Sequence, residues 1–318
     1  MIRPATSDAI AAAADDIRRG EVVAFPTETV YGLGADATNA IAVARIFAIK
    51  ARPSFDPLIV HLASPEMLPR IAATVPPAAA RLFARFWPGP LTVVLPKTSH
   101  IPDIVTAGLW SVAVRVPDHD VARALIAAAG CPLAAPSANP FGYVSPTTAA
   151  HVEEQLGTQV AVILDGGACR VGLESTIISF LAHEPALLRA GGIGVEDIER
   201  VIGAVRIAAE PALPLAPGQL PRHYAPRTPI AIVAGVSDIG PQERAGSAVL
   251  LPRPAADSDG FAHVEVLSSD GAVSTIAANL FAALRRLDAG GHRRIYAVAV
   301  PEVGLGRAIM DRLRRASA

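Results

Sequence analysis

Lysine is almost missing from this sequence. The 318 residues include two, Lys50 and Lys97, against 26 arginines, so a role that wants a compact ammonium rather than a planar fork falls to one of two positions. Cysteine is as scarce, with Cys131 and Cys169 alone. That excludes a disulfide framework or zinc-type cysteine spacing and suits a reducing, cytoplasmic setting. Charged residues make up 18%, and 28 basic side chains face 29 acidic ones. A split near residue 228 leaves 18 basic and 20 acidic before it, 10 and 9 after it. Neither part is a basic module built to coat nucleic acid. The eight histidines are scattered without ligand spacing, which argues against a structural metal. Neither a G-x-S-x-G elbow nor a Cys–His nucleophile pattern is present. With 51% hydrophobic residues, the chain is far from the composition of a disordered one.

Residues 124–152 lack charge altogether, long enough on that count to span a bilayer. Pro132, Pro136, Pro140 and Pro146 interrupt the stretch, and lipid could not satisfy the backbone groups they free. We read it as an uncharged loop region, with no membrane span. At the N-terminus, Asp8, Asp15 and Asp16 break the apolar core that a signal peptide needs.

What the sequence does contain is alternation. Apolar, β-branched runs at 21–25, 58–62, 91–95, 112–116, 160–165, 175–179 and 186–190 alternate with helical periodicity near 7–19, 39–50, 77–86, 118–129 and 146–156, predicting an α/β fold. Ser145 and Pro146 look like the start of the last of these helices. Prolines at 211, 214, 217, 221, 226 and 229 mark an extended, semi-rigid linker. Beyond it, strand patterns (PIAIVAG, AVLLPR, HVEVLS, IYAVAV) and helical ones near 274–289 and 305–316 predict a small, mostly parallel open sheet.

Six motifs carry chemistry. PTETVYGLGADA (26–37) follows a strand, and Gly32-Leu-Gly34-Ala-Asp-Ala37 fits a dinucleotide fingerprint with Asp56 about 20 residues on; a lone match of this kind is weak, and a structural turn is the alternative. Lys50-Ala-Arg52 pairs a point charge with a fork, as a phosphate chain requires, though a cation closing a helix also answers its dipole. Ser137-Ala-Asn139 and Ser145 lie in the uncharged Pro-rich loop, as turn-makers or as neutral partners of a nucleotide. Ser111, Ala113 and Arg115 share one face of a strand, where Arg115 needs an internal acid or an anionic ligand. The fifth motif is Gly172-Leu-Glu174-Ser175, with Arg189 ending the following strand. The sixth is Arg222-His223-Tyr224 inside the linker.

In this order, PTETVYGLG, Lys50-x-Arg52-Pro, FWPGPLT (86–92), VAVRVP, APSAN (135–139), LRAGG and PGQLPRHYAP resemble the YrdC-like family in its two-domain form, over nearly the whole chain. The resemblance implies a twisted mixed sheet with helices and a concave active-site face at 1–206, a linker or lid at 207–228, and a smaller Rossmann-like α/β domain at 229–318. It implies a nucleotidyltransferase: L-threonine, bicarbonate and ATP would give L-threonylcarbamoyl-AMP and pyrophosphate. A tRNA threonylcarbamoyl transferase complex would use the product, with transient tRNA contact at most. Mg2+ would come with ATP, held mainly by phosphates. By motif, Lys50 and Arg52 would be catalytic. The ATP side would hold these two with Asp56, Ser111, Ser137, Asn139, Ser145, Arg189 and Tyr224. The threonine side would hold Thr29, His61, Arg115, Ala135 and Ser175.

Two departures stand out. Asp56 occupies a place where the family more often has Asn, and is left to face a ribose or a magnesium ion. The linker has Ala216, Gln219 and Leu220 where polar or basic residues are usual, so contacts of the lid beyond RHYAP are in question. The alternatives from other classes are a non-enzymatic double-stranded RNA- or tRNA-binding module and a dinucleotide oxidoreductase using Gly32 and Gly34.

Overall fold

The computed structural model describes residues 1–208 and 214–318; part of the proline-rich linker, 209–213, lies outside the described residues. The larger sheet has eleven strands, in the spatial order Ile2–Pro4, Val162–Asp165, Val23–Phe25, Gly32–Asp36, Leu133–Ala134, Ile59–His61, Ser111–Arg115, Leu91–Pro96, Thr176–Ser179, Ala186–Arg189 and Arg206–Ile207. Pairing is mixed: Ile59–His61 runs parallel to Ser111–Arg115, while Leu91–Pro96 runs antiparallel to it. The long apolar runs became strands within a residue or two of their predicted limits.

One expectation fails here. Gly32–Asp36 is not a phosphate-binding turn but a strand, antiparallel to Val23–Phe25. The Phe25 ring lies across it, and a Cβ on Gly34 would stand 2.6 Å from that ring. The glycines allow close approach of a backbone to an aromatic ring, which removes the basis for the dinucleotide reading.

Helices cover the sheet where their apolar faces dictate. Ser7–Arg18 begins at Thr6, whose hydroxyl accepts the Ala9 N–H. Ala40–Lys50 is capped by Asn39 and buries Ala42, Val43, Ile46 and Lys50. That one-face spacing turns the ammonium of Lys50 inward. The helix expected from residue 146 begins later, at Ala149–Leu156, with Thr148 as its cap. Ser145 has another partner.

The second sheet is wholly parallel, in the order Ile230–Val233, Ile295–Val298, Ala248–Leu251 and His263–Val266. The helices Val273–Ala289 and Leu305–Ser317 bury their apolar faces in one cluster with Ile230, Leu250, Ile295 and Ala297. That cluster continues into the larger part through Val30, Val144 and Leu173. No helix among the described residues is long and apolar enough to cross a membrane.

Candidate functional site

A cavity opens where the larger sheet meets the 214–228 segment. On one side stands the Thr27–Val30 loop, which Thr27 shapes: its hydroxyl accepts N–H groups from Thr29 and Val30 and donates to the Val30 carbonyl. The Thr29 hydroxyl in turn accepts Arg115 Nη1 at 2.9 Å. Arg115 comes from the neighbouring strand, where it registers with His61. Its partner was open to two readings, and an internal acid is present: Glu28 Oε2 lies 2.6 Å from Nη2. Burial, reinforced by the Arg115 charge, pushes His61 down to about 3, which favours the neutral imidazole; its Nδ1 lies 3.3 Å from the Ile59 carbonyl.

On the other side Arg189 is tied in by four hydrogen bonds, one of them from Nη2 to the Ser175 hydroxyl at 3.1 Å. Nε and Nη2 donate to the Ser175 carbonyl at 3.1 and 2.9 Å, and Nη1 donates to the Pro217 carbonyl at 3.1 Å. Ser175 also shares a hydrogen bond with Thr92 at 2.7 Å. Arg52 forms a buried ion pair with Asp56 at 2.8 Å and donates to the carbonyls of Asp56 and Pro57. Asp56 therefore faces an arginine, with both carboxylate oxygens otherwise free of hydrogen bonds. Burial raises its pKa, against the pull of Arg52, Lys50 and Arg189.

Of the residues singled out by sequence, Thr29, Arg52, His61, Arg115, Ala135, Ser137, Ser175, Arg189 and Tyr224 line this one cavity. Lys50, Asp56, Asn139 and Ser145 are buried behind it, linked to lining residues directly or, for Asn139, through Lys50. Ser111 is buried too, but among the described residues no contact ties it to the cavity. Lys50 Nζ donates to the carbonyls of Ser137 and Asn139, and burial, then Arg52, hold its pKa well below the usual lysine value. Asn139 braces its own loop by donating to the Pro140 and Tyr143 carbonyls. Ser145 donates to Glu174 at 2.6 Å. Ser111 opens its strand opposite Pro96.

Sequence reasoning left out Thr27, Val30, Gly32, Ile59, Pro136, Glu174, Pro217, Gly218 and His223 from the lining. The signal for Glu174 and His223 was present, since each stands beside a residue that was chosen.

The linker fills the site. The Tyr224 ring packs 4.1 Å from the His223 ring and 5.5 Å, stacked, from Phe281, and burial raises its pKa to about 12. Ala216 is buried against Ile59, Val94, Ala113 and Ile177. Gln219 Oε1 accepts the N–H groups of Leu215 and Ala216, so the unusual linker residues do make contacts. About 50 Å³ is left in the cavity, against roughly 300–1,000 Å³ for sites that enclose a drug-sized ligand.

This arrangement spans the family regions. The Sua5, YciO and YrdC family, described as "Telomere recombination", matches residues 15–191, and the "Threonylcarbamoyl-AMP synthase, C-terminal domain" family matches 193–318. The chain belongs to the Sua5–YciO–YrdC family. Its sequence is 46% identical to the threonylcarbamoyl-AMP synthase of Pyrococcus abyssi over 96% of this chain and 93% of that one. The Bacillus subtilis protein of the same name is 43% identical, over 97% and 92%. In three dimensions the chain is similar to P. abyssi Sua5 complexed with L-threonine, with a TM-score of 0.92 and 42% identity, covering 100% of this chain and 96% of that one. Within this Sua5-type architecture, both family regions contribute residues around the cavity.

Proposed function

We propose that the chain synthesises L-threonylcarbamoyl-AMP from L-threonine, bicarbonate and ATP, releasing pyrophosphate, with residues 1–206 as catalytic domain, 207–228 as lid and 229–318 as accessory domain. The observation that carries this reading is one cavity whose lining gathers Arg115, His61, Thr29, Arg52, Ser137 and Arg189.

The threonine amine and bicarbonate form a carbamate with loss of water. The carbamate carboxylate attacks the α-phosphate, the bond to the β-phosphate breaks, and pyrophosphate leaves. Such a step needs positioning and charge neutralisation more than a protein nucleophile. Arg115 would fork the threonine carboxylate, with Thr29, neutral His61, Ala135 and Ser175 around the rest of the amino acid. Lys50, Arg52 and Arg189 would supply positive charge to the triphosphate, with Ser111, Ser137, Asn139 and Ser145 as neutral partners. Tyr224 would close over the nucleotide and shield a hydrolysable carbamate and mixed anhydride from water.

Among the described residues no group of three His, Cys, Asp or Glu could hold a metal ion, and the carboxylates of Asp56 and Glu174 already answer arginines. The residues do not fit a resident magnesium site, so the ion would travel as the counter-ion of ATP. The product would pass, in the cytoplasm, to a tRNA threonylcarbamoyl transferase complex.

The test is pyrophosphate release across amino acids, with bicarbonate omitted as the control. Release should need threonine and bicarbonate together and disappear in Lys50→Ala. Equal release with no amino acid would overturn the reading.

A further inference from the structure

The last helix of the smaller domain, Leu305–Ser317, reaches the wall of the cavity. Its Arg312 is completely buried. Nε donates to Glu174 Oε2 at 2.8 Å, and Nη1 donates to Asp311 Oδ2 at 2.6 Å. The other oxygen of Glu174, a cavity-lining residue, accepts Ser145 Oγ. Arg312 Nη2 has no hydrogen-bond partner; the guanidinium instead lies 5.0 Å from the centroid of the Tyr224 ring, a cation–π distance.

The same helix grips the linker a second time. Arg315 Nη1 donates to the Leu220 carbonyl at 2.6 Å, and the Arg315 carbonyl accepts the His223 N–H at 3.1 Å. Immediately after the second anchor Tyr224 adopts φ +61°, a region that bulky side chains rarely occupy. Such a conformation persists only where the surroundings over-determine it. Two of its main neighbours, Phe281 and Arg312, belong to the smaller domain.

A buried ion pair is a weak reason for stability, because apolar residues in its place often serve as well. What the pair does supply here is a fixed geometry for two groups facing the cavity. We propose that Arg312 is a positioning residue: through Glu174 and Tyr224 it lets the smaller domain set the closed position of the 214–228 segment. The inference rests on the proposed reading of the cavity as the nucleotide site.

Full-length Arg312→Met and Arg312→Lys test it, by trypsin cleavage after the exposed Arg222 and by the kinetics of pyrophosphate release. Arg312→Met should be cut about tenfold faster and raise KM for ATP about tenfold, with kcat within about twofold, the loss expected when charged contacts that hold the closed form are removed. Arg312→Lys should recover most of the protection. Should Arg312→Met fail to fold, its combination with Glu174→Gln leaves no unpaired buried charge and carries the same measurements. A folded variant with wild-type cleavage and wild-type KM overturns the proposal. Cleavage needs no turnover: a wild-type protein that released no threonine-dependent pyrophosphate would sink the reading of the site, and the cleavage rates would still decide the role of Arg312.

Discussion

Arg115 Nη2 lies 2.6 Å from Glu28 Oε2, and both side chains are buried. The approach is close but off the hydrogen-bonding direction, since neither oxygen of Glu28 accepts a hydrogen bond. Charge attraction is what ties them. Glu28→Gln leaves the guanidinium buried without a counter-charge, a situation that costs about 3–5 kcal/mol. Urea unfolding at pH 7.5 should show a loss of that order, and KM for threonine should rise with it. A loss below about 1 kcal/mol would mean that Arg115 is held by its hydrogen bonds to the Thr29 hydroxyl and, from Nε at 3.3 Å, to the Gly89 carbonyl.

Gly34→Ala tests the close approach of strand to ring. The added Cβ would meet Phe25 at 2.6 Å, and overpacking of a filled core costs about 1–3 kcal/mol. A thermal melt should register the decrease. Gly130→Ala makes the contrast: its Cβ meets nothing within 4 Å, and only its left-handed backbone, φ +72°, weighs against the change.

Acid should weaken the fold through His61 and His223. Burial is the main cause of both depressed values, with Arg115 adding at His61 and Arg52 at His223. An unfolded imidazole takes up its proton below about 6.5, whereas folded His61 waits until about 3. The unfolded state then binds more protons, and stability falls as pH drops from 6.5 towards 3. The slope is at most about 1.4 kcal/mol per pH unit for each histidine. Urea midpoints at pH 7.5, 6 and 5 measure it; a flat profile would contradict the burial of these rings.

Gly218→Ala should act on the linker and leave the sheets alone. Gly218 has φ +79°, and its Cβ would stand 2.6 Å from Tyr224 Oη and 3.1 Å from Arg189 Cδ. We expect pyrophosphate release to fall about tenfold, with the melting temperature within about 4 °C of wild type. Full activity with a large drop in melting temperature would reverse that assignment.

The sequence was most legible where burial and propensity agree. Runs such as Leu91–Pro96 and Ser111–Arg115 are β-branched and buried, so pattern and packing coincide. Gly32–Asp36 was misread because two glycines resemble a turn until the Phe25 ring that needs the space is seen. Ser145 looked like a helix cap because serine and proline commonly start helices; its hydroxyl instead serves Glu174, 29 residues away. Asp56 was left to a ribose or a magnesium ion, whereas its partner is Arg52, four residues before it; Arg189, which also bears on it, arrives from a distant strand. Arg312 carried no local signal at all. It lies on a helix with several arginines, and only the fold reveals that this one is fully buried.

The apolar cluster that joins Val30, Val144, Leu173 and Tyr224 to Ile276, Leu280 and Phe281 has a calorimetric meaning. Separate sheets with separate cores melt as separate units, but here part of the core is common property. Losing the four-stranded sheet strips cover from Val144 and Leu173, and disrupting the larger one uncovers Phe281. The heat capacity trace should therefore show a single cooperative peak.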